Sequence, residues 1–109
     1  MKKKIDSYLG FAKKSGSLIA GYNTCAAAIE KKKLKLLIIC EDVSENSMEK
    51  IRKLARAGGT EYRIYGSSEE IGHASGSPGR GIFGVADRNF ADVIKKEIDS
   101  EKSEEKEVF

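Results

Sequence analysis

Five consecutive apolar residues, Leu36-Leu37-Ile38-Ile39-Cys40, stand between Lys35 and the acidic pair Glu41-Asp42. The run is too short for an ordinary helix. An apolar side chain at every position, instead of every second one, marks a central strand covered on both faces.

The segments around this strand alternate in period. Ile5, Tyr8, Leu9 and Ala12 follow helical spacing and Gly16 supplies a stop, so the chain opens with a helix. Leu18 to Ala20 reads as a short strand. A second helix is expected from an N-cap at Asn23 or Thr24 to about Lys32. After the central strand, Ser44 caps a third helix carrying Met48, Ile51, Leu54 and Ala55, which Gly58 and Gly59 end. Tyr62 to Tyr65 alternates as a strand, and Ser67 with Glu70 has capping-box spacing for a short fourth helix. Gly76 to Gly81 must be a loop, because glycine and proline sustain neither helix nor regular strand there. Ile82 to Ala86 is a fourth strand, Asp87 a cap, and Phe90, Ala91, Ile94 and Ile98 mark a fifth helix. This alternation predicts an α/β fold, a three-layer α/β/α sandwich with a small mixed sheet between helical layers.

With 109 residues, one domain over 1–98 is expected. From Glu97 onward six acids face two lysines, and the apolar spacing stops at Ile98, so 99–109 is expected to be an acidic, disordered tail. Residues 1–96 then hold 18 Lys and Arg against 11 Asp and Glu, a net +7 that favours a polyanionic partner. No stretch approaches the ~18 apolar residues of a membrane span, and the N-terminus lacks a signal-peptide core, so a cytoplasmic protein is expected. Cys25 and Cys40 form no CxxC, and His73 is the only histidine. Neither a disulfide framework nor a metal site has its parts, and both thiols read as reduced core residues.

Catalysis lacks its players. No serine or cysteine stands in a nucleophile motif, and His73 reads as a residue packing near the following loop. Glu41 with Asp42, or Glu69 with Glu70, are explained by strand-end solvation and helix-dipole complementarity. The glycine-rich loop leaves a helix and enters a strand, the reverse of a nucleotide-cofactor site, so no cofactor is expected. Two places suit RNA instead. One is the start of the second helix, Gly21, Tyr22, Asn23 and Thr24, where free backbone N–H groups and small polar side chains can meet phosphates or base edges. The other is the loop, where Ser75, Gly76, Ser77, Pro78 and Gly79 allow close approach and Arg80 can pair with phosphate. Lys13, Lys14 and Lys31 to Lys33 could form a positive rim, and Glu41 at the strand end is counted with these candidate contacts.

Leu18 to Thr24, Leu36 to Asn46 and Gly66 to Gly76 together resemble the kink-turn-binding ribosomal-protein family often called L-seven-Ae, most of all its small bacterial members of the YlxQ type. The likeness covers roughly residues 5–98. It implies a sandwich with a four-stranded mixed sheet and a non-catalytic protein that binds kink-turn-like structured RNA, ribosomal or other. It also implies that the second helix enters the RNA through a motif Gly-x-Asn-Glu-x-x-Lys, while the loop after the fourth helix covers unpaired nucleotides. Gly21 and Asn23 match that motif, Thr24 stands for its Glu, and Ala27 stands where its Lys would be. An alternative is a protein-interaction module of the same fold, attached to the translation machinery, with weak RNA affinity. A methyltransferase recognition domain of this fold is a third reading, disfavoured because the chain has no room for a cofactor domain. A monomer is expected in the absence of RNA, with no DNA or membrane partner.

Overall fold

The structure, a computed structural model, describes residues 3–107; Met1, Lys2, Val108 and Phe109 lie outside the described residues. Nine elements follow in the order α1 (Lys4–Lys14), β1 (Leu18–Ala20), α2 (Tyr22–Glu30), β2 (Leu36–Ile39), α3 (Glu45–Ala57), β3 (Tyr62–Ile64), α4 (Ser68–Ala74), β4 (Ile82–Val85) and α5 (Arg88–Glu107). The four strands form one mixed sheet in the order β1-β4-β2-β3. β4 runs antiparallel to both its neighbours and β2 runs parallel to β3. The fold is the expected three-layer α/β/α sandwich.

The apolar run Leu36–Cys40 sits at the centre, fully buried. Because strand side chains alternate, Leu36, Ile38 and Cys40 join the core beneath α1, α4 and α5, whereas Leu37 and Ile39 join the core beneath α2 and α3. β4 repeats the division, with Phe83 and Val85 on the first face and Ile82 on the second. Gly84 on β4 leaves room for Leu34, whose Cδ1 would stand 2.6 Å from a Cβ there. An alanine at this point would push Leu34 out of the core.

Three local features differ from the sequence reading. First, α2 begins earlier than expected. Gly21 is its N-cap, at φ 104°, and Asn23 and Thr24 lie inside the first turn with no side-chain cap bond. The Gly21 N–H is held by the Ile82 carbonyl at 2.8 Å, so the sheet, not a capping side chain, decides where the helix starts. Second, only half of the capping box at Ser67 forms. Its Oγ accepts the Glu70 N–H at 3.1 Å, while the Glu70 carboxylate accepts from the Ser67 hydroxyl and not from its backbone. Third, residues 99–107 of the tail expected to be disordered are helical, since α5 continues past Ile98 to Glu107, while 108 and 109 lie outside the described residues. Arg63 on β3 donates to both carboxylate oxygens of Asp99 at 2.8 and 3.1 Å. Tyr65 donates its hydroxyl to Glu101, and Lys3 pairs with the same carboxylate at 3.2 Å. These partners come from the other end of the chain and the far edge of the sheet, so apolar spacing could not announce them.

Among the described residues, no helix is long and apolar enough to cross a membrane. Both cysteines are free and buried, as read.

Candidate nucleic-acid interface

The start of α2 and the loop after α4 meet because β4 lies between β1 and β2. Gly21 follows β1 and Gly81 precedes β4, and the β1–β4 register sets Gly21 opposite Ile82, so both glycines stand at the same end of the sheet. The guanidinium of Arg80 lies across this junction, with Nη1 3.4 Å from where a Gly21 Cβ would stand. Any side chain at position 21 would need an unfavourable positive φ, and its Cβ would touch the Arg80 guanidinium at van der Waals distance. The first turn of α2 contains no acid and no side-chain cap, which leaves its N–H groups and partial positive charge open beside that guanidinium.

The loop is anchored at both ends. Ser75 closes α4 as its C-cap, and its hydroxyl donates to the Gly72 carbonyl at 3.2 Å. The Ser77 N–H donates to the same carbonyl at 2.8 Å, and a Cβ on Gly72 would stand 3.1 Å from the Ser77 carbonyl oxygen. Gly76 and Gly79 take positive φ of 72° and 83°, the two bends that only glycine makes cheaply. At the far end, the Gly81 carbonyl accepts the Cys40 N–H at 2.8 Å. A Cβ on Gly81 would come within 2.6 Å of Ser68 Oγ and 2.7 Å of Val43 Cγ2. Asp42 completes the clamp by accepting the Ser68 N–H and hydroxyl at 2.9 and 2.8 Å. Those two bonds hold the Asp42 carboxyl below the usual carboxylate range.

The candidate residues divide accordingly. Gly21, Asn23, Thr24 and Ala27 lie along one side of α2, the last three exposed, with exposed Arg80 against Gly21, while exposed Pro78 and Gly79 line a hollow with Ser68, Glu69 and His73. Lys13 borders the loop, its Cγ 4.0 Å from the Cβ position of Gly76, and Lys14 follows it in the last turn of α1. Four candidates differ in setting. Tyr22 packs against the α2/α3 core, and Ser75 is 1% exposed, so its role is to end α4. Glu41 lines a hollow with Asp6, Glu70 and Glu101, an acidic setting unlike that of Arg80. Lys31 is the C-cap of α2, eight residues from Asn23 and thus about 12 Å along the axis.

Asp42, Ser68 and Gly72 were not among the candidate residues, and Gly81 was read only as the end of the loop. Asp42 with Ser68, and Gly81 with Cys40, support the loop across long stretches of chain, whereas Gly72 holds it locally through Ser77. No group of three or more potential metal-ligating side chains occurs among the described residues.

The sequence profile of the ribosomal protein L7Ae/L30e/S12e/Gadd45 family matches residues 3–95. The chain is a member of that family. Within the L7Ae/L30e/S12e/Gadd45 family it is 30% identical over 98 residues to the RNA-binding protein YlxQ of Enterococcus faecium, an overlap of 90% of this chain and 94% of that one. The RNA-binding protein YlxQ of Bacillus subtilis (strain 168) is 24% identical over 91 residues, covering 84% of this chain and 91% of its own. A solved structure of a protein with unknown function from Bacillus halodurans C superposes with a TM-score of 0.86 at 23% identity, over 90% of this chain and 99% of that one. That likeness shows the fold.

Proposed function

We infer that this chain is a non-catalytic RNA-binding protein that takes a bent, kink-turn-like RNA, ribosomal or other, between the start of α2 and the loop 76–81. The carrying observation is the Arg80 guanidinium lying over Gly21, which joins a bidentate phosphate donor to the open N–H groups of a helix. The names of its YlxQ relatives support the RNA partner. Phosphate contacts from Arg80 and Lys13 would position the RNA, and the exposed amide of Asn23 would read base edges.

The test is an anisotropy titration against a kink-turn duplex and an unkinked duplex of the same composition, at several salt concentrations. Wild type should prefer the kinked RNA. Arg80→Ala should weaken both complexes and lower the salt slope by about one, while Asn23→Ala should narrow the gap between them. Equal wild-type affinity for the two duplexes would remove the kink-turn assignment. Ala27, where the family motif has lysine, favours a second reading in which the same face serves a protein of the translation machinery. Failure of every RNA to bind would leave that reading standing.

A further inference from the structure

Phe11 is 55% exposed, whereas Ile5, Leu9 and Ala12 on the same helix are 2%, 0% and 0% exposed. A phenyl ring so far in water adds nothing to the core. It borders a groove of about 310 Å³ between α1 and the end of α4. Small residues make the floor. The two helices lie close at Gly10, where a Cβ would stand in van der Waals contact, 3.7 Å from the Ala74 carbonyl oxygen. Lys13, Lys14 and His73 line the groove with Phe11, and it ends at Gly76, the first bend of the loop.

Charge along this face is graded. α1 begins with Asp6 and ends with Lys13 and Lys14; α4 begins with Glu69 and Glu70 and ends with His73. A neighbouring hollow gathers Asp6, Glu69 and Glu70. A polyanion is therefore repelled at one end and held at the other, where the exposed ring and the two lysines stand beside the glycine loop. Neither lysine forms an ion pair among the described residues.

We propose that Phe11 is a stacking platform for an unpaired nucleobase of the bound RNA, with Lys13 and Lys14 holding the flanking phosphates. The proposal rests on the RNA-binding reading above and extends that interface around the loop onto α1. An aromatic face takes any base, because every base has a π-face, and cations beside it track the strand. Selection here is for single-stranded character, not for sequence.

The chain has no tryptophan, so Phe11→Trp introduces a single fluorescent reporter at the surface. It is titrated with labelled kink-turn RNA carrying a single-stranded extension and with a fully paired counterpart, following RNA anisotropy and tryptophan emission together. The extended RNA should quench the tryptophan. Phe11→Ala should bind that RNA about tenfold more weakly and Phe11→Tyr should restore it, with less than about a twofold change for the paired RNA. Binding without quenching, and equal affinity in Phe11→Ala, would overturn the stacking role and leave RNA binding intact. No anisotropy change with any RNA would overturn both. If Phe11→Ala instead frees a co-purifying protein while RNA affinity stays the same, the groove belongs to that protein and the proposal fails.

Discussion

Ala27 is exposed one turn beyond Asn23 on α2, and Lys31 follows one turn later. A spacing of four residues returns nearly to the same side of a helix after about 6 Å of rise. The stripe Asn23, Ala27, Lys31 thus has a polar head, a small gap and a cation at its end. Lysine costs a helix little relative to alanine, so the gap can be filled without disturbing the fold. Ala27→Lys should tighten binding to kink-turn RNA by about three- to tenfold at moderate salt and steepen the salt dependence by about one contact, read by filter binding over a salt series. An unchanged affinity would mean that this stripe does not face RNA. The departure at position 27 was legible from the sequence; the approach of Arg80 to Gly21 was not, because 59 positions separate them.

At the scale of elements, α5 is held in two different ways. Up to Ile98 it is pinned by Ala91, Ile94 and Ile98, which are buried beneath the sheet. Beyond that point polar contacts take over, through Asp99 to Arg63 and Glu101 to Tyr65 and Lys3. The Arg63 guanidinium holds the Asp99 carboxyl below the usual carboxylate range. Exposed pairs of this kind contribute at most about 1 kcal/mol, so they order a helix end without governing the fold. Arg63→Ala should speed hydrogen exchange of amides 99–103 by about tenfold and leave those of 91–98 unchanged, with global stability lowered by less than about 1 kcal/mol. Equal protection in both proteins would show that the last turns need no clamp. Composition alone read this segment as solvated, because a run of acids looks the same whether its partners are water or a strand edge brought in from elsewhere.

The whole molecule has two cores, and each contains one thiol. Cys40 lies beneath α1, α4 and α5, and Cys25 lies beneath α2 and α3, its thiol 4.0 Å from the Ile82 carbonyl. Burial pushes both up to about 12, and the Asp42 carboxylate adds to the effect at Cys40. A thiol kept neutral in the fold but free to ionise in the unfolded chain draws the equilibrium toward unfolding as pH rises. This contribution is complete below the ordinary thiol pKa of 9.0 and is lost as pH climbs from there toward 12. Urea midpoints should therefore fall between about pH 8 and about pH 10.5, and less steeply in Cys25→Ala and Cys40→Ala. At neutral pH both thiols should resist a thiol reagent until global unfolding. Early reaction of one would show that its layer opens alone.

The elements and the layers can be read along the chain. Apolar periods of two and of 3.6 reflect backbone geometry that is the same wherever a segment lies, so the continuous run at Leu36–Cys40 announced a strand buried on both faces. The motif residues Gly21 and Asn23, and the gap at Ala27, were legible only through the resemblance to a known family. The assembly of the candidate site depends on how the segments pack in three dimensions. The sheet order β1-β4-β2-β3 brings Gly21 beside Arg80, Asp42 and Ser68 clamp the loop, and Arg63 orders the acidic end of α5. The tertiary structure also moved the helix N-cap from Asn23 or Thr24 to Gly21, placed Glu41 in a hollow with Asp6, Glu70 and Glu101, and buried Ser75. Each of these depends on a hydrogen bond, charge or close approach between distant segments, and such contacts leave no period in the chain.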